Sequence, residues 1–138
     1  MMSPDRQRAR LAGLDESSEG FKLYGPLEVQ PNDMRIKKIK YSAFIPGSSH
    51  LDQQLKARKI DTLLIAGTTT TVCCESTARD AMMLDYKVIM VSDANAALTD
   101  EEHASAPNTF TQFFGDVMTT EEATTRLAWH CERGAENS

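Results

Sequence analysis

Thr62-Leu-Leu-Ile-Ala66 runs directly into Gly67-Thr-Thr-Thr-Thr-Val-Cys-Cys-Glu-Ser-Thr77. The first piece is a short, continuous apolar run stopped by glycine, as expected of a strand buried on both faces. Beyond the turn, a helix predicted over about Cys73 to Leu84 stacks Cys73, Thr77 and Ala81 on one side, with Ala78 and Met82 alongside. Strand, turn and helix together place one thiol, Cys73, at a helix start, where unpaired backbone N–H groups and the helix dipole favour negative charge. A thiol so placed is expected to be partly thiolate near neutral pH, the form that attacks carbonyl carbon. The competing reading is that a free cysteine is a small buried hydrophobe, which is how Cys74 and Cys131 read. Cys74 is rotated by about 100° from Cys73 on a helix, so the two do not share one role.

The flanking sequence repeats the alternation of strand and helix. Lys87-Val-Ile-Met-Val-Ser92 is a second buried-strand candidate ending at Asp93, and Gly115-Asp-Val-Met118 is a short third. Met34 to Tyr41 has strand-like alternation, with Met34, Ile36 and Lys38 on one face. Ser49 with Asp52, Thr99 with Glu102 and Thr119 with Glu122 have capping-box spacing and predict three helix starts. Pro107 falls inside the second of these helices, where proline kinks the axis or costs about 3 kcal/mol. Gly25-Pro26 and Pro31-Asn32-Asp33 read as turns. Residues 1–20 lack a sustained period and read as a flexible N-terminal segment, followed by one domain over 21–133 and a tail over 134–138 after Gly134. The pattern predicts an α/β fold: three layers, α/β/α, around a mostly parallel sheet of at least four strands. Function then gathers at the carboxyl ends of the strands.

At 138 residues and a net charge of −5, the chain lacks the basic excess of a nucleic-acid surface. Arg6, Arg8 and Arg10 are followed at once by Asp15, Glu16 and Glu19. No apolar run approaches the roughly 20 residues that cross a bilayer, and no apolar h-region marks a secretory signal. Three cysteines, two adjacent, make no disulfide framework, so a reducing, cytoplasmic setting is expected. A third function class, a redox-sensing thiol protein, is also compatible with Cys73.

Lys38 has two readings: a snorkelling lysine at a strand end, or a charge near the thiol that favours thiolate and later binds an oxyanion. Lys37 and Lys40 face away from it. His50, His103 and His130 are far apart, with no HxH or HExxH pairing, so no metal site is predicted. A Cys73 dyad with His50 or His103 stands equal with exposed helix histidines. Thr68 to Thr71 is no phosphate loop, lacking the second glycine and the Gly-Lys-Ser/Thr ending.

Four pieces together resemble the isochorismatase-like cysteine hydrolase superfamily: Lys38-Ile-Lys-Tyr-Ser-Ala-Phe44, Leu64 through Ala81, Val88-Ile-Met-Val-Ser-Asp-Ala94 and Phe113-Phe-Gly-Asp-Val117. They lie in family order over roughly residues 20–128 and are most similar to ureidoacrylate amidohydrolase and related amidases. The resemblance implies a Rossmann-like isochorismatase-like hydrolase fold, with Cys73 as nucleophile and Lys38 as its charged partner. It implies a cis peptide between Thr68 and Thr69, and an oxyanion hole made by the amides of Thr69 and Cys73. It implies a pocket near Tyr41, Phe44 and Thr70, a small amide, ureido or carbamoyl substrate, and no cofactor. One family element has no counterpart: the aspartate that ends a first strand in an apolar-Ile-Asp-x-Gln pattern. The chain is therefore expected to be N-terminally truncated, with an exposed sheet edge, a tendency to form a homo-oligomer, and weak activity alone. The alternative is an inactive family member or interaction subunit whose open edge another chain covers.

Overall fold

The computed structural model describes residues 3–136. The chain divides into two units, with the boundary between Arg35 and Ile36.

The first unit holds a helix where the sequence pattern predicts a flexible segment. Helix α1 (Pro4–Gly13) starts at Ser3, whose Oγ accepts from Arg6 N, with Pro4 at the first helical position and Asp5 in the first turn. Those are strong start signals. What the segment lacks is an apolar stripe, and Leu11 and Leu14 are exposed. A 3-10 turn follows at Glu19–Phe21. Both predicted turns form, with Leu27 N donating to Tyr24 O and Asp33 N to Gln30 O.

The predicted strand over Met34 to Tyr41, which spans that boundary, is absent. From Ile36 to His50 the chain is irregular. Its hydrogen bonds run instead through serine hydroxyls: Ser48 Oγ donates to Ser42 O, and Ser49 Oγ to Ala43 O. Ala43 N donates to Thr77 Oγ1 at 3.2 Å. Hydroxyls that bond nearby backbone offer an alternative to a strand ladder, and alternation alone supplies no neighbour to pair with. Helix α2 (Leu51–Ala57) then begins one turn-like step after Ser49, whose Oγ accepts from Leu51 N.

The sheet has three parallel strands among the described residues, not four or more: β1 (Thr62–Thr68), β2 (Lys87–Ala96) and β3 (Asp116–Met118), in that order. Helix α3 (Glu75–Met83) crosses from β1 to β2 and α4 (Asp100–Phe113) from β2 to β3, as parallel pairs require. Helix α5 (Thr120–Glu136) packs against β2 and continues past Gly134. The core joins Ala78 and Ala81 of α3, Val88 and Met90 of β2 and Phe110 of α4, with Leu55, Phe44 and Tyr86 closing it. Two alanines with no exposed surface let α3 lie close to the sheet. β1 is an edge strand rather than one buried on both faces: Leu63 and Ile65 pack on the core, while Leu64 is 40% exposed.

β2 runs beyond Asp93 to Ala96 because of an irregularity in the ladder. Ile65 pairs with Met90, yet Gly67 pairs with Asn95, so the stretch around Ser92 to Ala94 bulges out. Asn95 Nδ2 holds the bulge by donating to Ile65 O and Val91 O at 2.9 and 2.7 Å. The bulge releases Asp93 to the start of α5, where its Oδ1 accepts from Thr120 N and Thr120 Oγ1. Thr119 and Glu122 complete a reciprocal capping box there. The Thr120 hydroxyl, and then its amide, hold the Asp93 carboxyl below the usual carboxylate range. A depressed folded-state value adds stability above about pH 4 that is lost as pH falls further. Asp93→Asn is therefore expected to lower the melting temperature at pH 7, by an amount that shrinks as pH falls below about 4. A loss that stays the same as pH falls from 7 to the acid limit of folding would assign the effect to something other than the carboxylate.

Candidate functional site

β1 ends in Gly67, whose φ of 128° suits glycine alone. The Thr68–Thr69 peptide bond is cis. Thr70–Cys74 then forms a π-helical turn that runs straight into α3. The chain reverses here because the Thr69 carbonyl accepts from both Val72 N and Cys74 N, at 3.1 and 3.2 Å. Single π turns are rare and recur at functional sites. Cys73 thus lies in a wide turn before the helix, rather than at the first residue of a regular one.

The two adjacent thiols have different surroundings. Cys73 is partly exposed, whereas Cys74 is buried at 5% exposure in the core beside Gly67. Burial pushes the Cys74 thiol up, charge on Cys73 pushes it the same way, and the Lys38 ammonium pulls it partly back. Cys131, predicted buried, lies outside the residues whose side chains are described.

Lys38 does not share a strand face with Met34 and Ile36. It sits in the irregular segment, where its Nζ donates to Lys40 O at 2.9 Å and Tyr41 O at 3.1 Å. Those two carbonyls anchor the ammonium. Of the three residues assigned to a pocket, Tyr41 is exposed, whereas Phe44 is buried with its ring 5.3 Å from that of Tyr86. Thr70 is 1% exposed, and its hydroxyl hydrogen-bonds His103 Nδ1 at 2.9 Å. Sequence spacing assigns His103 no preference over an exposed helix histidine. Only the 33-residue separation closed by α4 shows its partner.

No group of three or more His, Cys, Asp or Glu side chains among the described residues is arranged to hold a metal. No helix among them is long and apolar enough to cross a membrane. The arrangement therefore offers a partly exposed thiol and the backbone amides of the π turn that carries it. That set suits nucleophilic attack on a carbonyl.

Comparison with known proteins agrees with this architecture. The model of the isochorismatase domain matches residues 2–122. A ureidoacrylate amidohydrolase of Variovorax paradoxus is 39% identical over 121 residues, which cover 85% of this chain and 47% of that protein. An uncharacterized isochorismatase family protein of Bacillus subtilis is 38% identical, covering 88% of this chain and 64% of that one. Among solved structures, a cysteine hydrolase from Pseudomonas syringae pv. phaseolicola superposes with a TM-score of 0.80 at 32% identity, over 89% of this chain and 64% of that one. A nicotinamidase/pyrazinamidase of Bacillus subtilis gives a TM-score of 0.68 at 29% identity, over 75% of this chain and 60% of its own. The chain spans about half to two thirds of the length of these curated relatives.

Proposed function

This chain belongs to the isochorismatase family, and on that premise we propose that it is a cysteine hydrolase of small amide, ureido or carbamoyl carbonyls, with Cys73 as nucleophile. The observation that carries this reading is the division of labour in the cysteine pair: Cys74 fills the core, leaving Cys73 partly exposed in a π turn beyond a strand end. The named activities of similar proteins, ureidoacrylate amidohydrolase and nicotinamidase, both break a C–N bond at a carbonyl.

In the proposed mechanism the Cys73 thiolate adds to the carbonyl carbon, forming a C–S bond. The amides of Thr69 and Cys73 receive the developing oxyanion. The C–N bond breaks as the amine takes a proton from solvent, and water then adds to the thioester, releasing the acid and one proton to solvent and regenerating the thiolate. Lys38 supplies positive charge that favours thiolate and oxyanion alike. Proton transfer to the departing amine and from the attacking water is the general acid–base part of this mechanism, a part that contributes about 10²–10⁴ in rate. Homo-oligomerisation and a cytoplasmic setting belong to this reading.

The test is alkylation by iodoacetamide at pH 6 with peptide mapping. Cys73 is expected to react at least about tenfold faster than Cys74, because reactivity follows thiolate fraction and access. Equal, slow labelling of the two would overturn the assignment.

A second reading, an interaction subunit without turnover, draws on β1. Its outer edge is unpaired among the described residues, and Leu64 is exposed on it. Unpaired edges recruit other strands. A chain that elutes as a monomer and hydrolyses nicotinamide or an N-carbamoyl acid would exclude that reading.

A further inference from the structure

We propose that His103 is a positioning residue for Cys73, holding the nucleophile's turn in place through the buried hydroxyl of Thr70. This inference rests on the hydrolase reading above for its catalytic consequence, though not for its structural one.

Thr70 is the first residue of the π turn and follows the cis peptide directly; Cys73 is three residues further on. The Thr70 side chain is 1% exposed. A hydroxyl so deeply buried needs a hydrogen-bond partner, and His103 Nδ1 at 2.9 Å is the one it has. Within the turn, the only backbone tie to the residue before it is the Thr69 carbonyl shared by Val72 N and Cys74 N. The bond to His103 is thus a lateral tether from another element. It joins the turn to the first half of α4, where His103 N is itself fixed to Thr99 O. The Nε2 atom has no hydrogen-bond partner among the described residues. Either tautomer serves: the hydroxyl donates to an unprotonated Nδ1, or a protonated Nδ1 donates to the hydroxyl.

The tether matters because the turn fixes both the direction of the Cys73 side chain and the amides beside it. A displacement of about 1 Å at a reacting group costs on the order of 10²-fold in rate. Removing a lateral bond should give part of that loss without unfolding the protein.

The variants are His103→Ala, Thr70→Val, the double variant, and His103→Asn, whose amide places a hydrogen-bonding atom near the position of Nδ1. Two readouts need no substrate: the rate of Cys73 alkylation at pH 7, and hydrogen exchange of the peptide spanning residues 66–77. Each single variant is expected to slow alkylation about tenfold and to speed exchange of the turn amides about tenfold. The double variant should be no worse than either single one, because both remove the same bond. His103→Asn should recover at least half of the loss. Where turnover is measurable, kcat should fall with KM little changed. Unchanged alkylation and exchange in His103→Ala, or effects that multiply in the double variant, would overturn the inference. If His103→Ala fails to fold, Thr70→Val with His103→Asn carries the same comparison. Absent turnover with the coupling intact would count against the hydrolase reading alone. A reactive Cys73 with no coupling to His103 would count against this inference alone.

Discussion

Cys73→Ala is expected to abolish ammonia release from an amide or ureido substrate, with a loss of at least about 10³-fold, because no other group in the turn replaces a covalent nucleophile. Stability should hardly move, by no more than about 0.5 kcal/mol, since the side chain is partly exposed and fills no core position. Cys74→Ala should do the opposite. Its side chain is buried in the core cluster that also holds Ala78, Val88 and Met90, so its removal should cost about 1 kcal/mol and leave turnover within about threefold. This crossed pattern separates a chemical role from a packing role with two neighbouring substitutions of the same element. A slow substrate would blur the comparison. Mass-spectrometric trapping of the acyl-enzyme removes that difficulty, as acyl transfer to sulfur is read directly at one turnover. Acylated protein from Cys73→Ala, or residual turnover equal to wild type, would sink the nucleophile assignment.

Features of the fold that depend on near neighbours were legible in the sequence. Thr99 and Glu102 begin α4, and Thr119 and Glu122 begin α5, where their three-residue spacing places them. The strand–turn–helix block from Thr62 to Thr77 located Cys73 because a continuous apolar run, a glycine and a helical period are all local signals. Features that depend on distant partners were not legible. The alternation from Met34 to Tyr41 resembled a strand, but no strand pairs with it; Ile39 N donates to Ser48 O, and the Lys40 and Tyr41 carbonyls accept from Lys38 Nζ instead. Residues 1–20 hid a helix because caps were present without an apolar face. Asn95 holds the β2 bulge across 30 residues, and His103 reaches Thr70 across 33; neither pair leaves a periodic trace. The candidate site follows the same division. The sequence block points to the proposed nucleophile, whereas His103, proposed to hold it, comes from an element folded against the turn.

Phe110→Ala is expected to have the largest effect on stability, a loss of about 3–5 kcal/mol, typical when a fully buried phenylalanine is truncated. Phe110 has no exposed surface and is the largest fully buried side chain described. Its neighbours leave little room for collapse into the space it vacates. A methyl group at Gly115 would meet Val88 O at 2.3 Å and the Phe110 ring at 3.1 Å, so backbone already presses on the ring from one side. The Phe110 carbonyl accepts from both Phe114 N and Gly115 N, which ends α4 and turns the chain into β3. The ring therefore secures the junction of α4, β2 and β3 at once. Against a total stability of about 5–15 kcal/mol, such a loss should lower the melting temperature by roughly 10–20 °C. Phe110→Leu, which keeps most of the volume, should cost less than half as much. Urea unfolding followed by circular dichroism measures both. A loss below about 1 kcal/mol for Phe110→Ala would mean that the α4 core is not packed as described. It would also remove the rigid platform from which His103 is proposed to hold the cysteine turn.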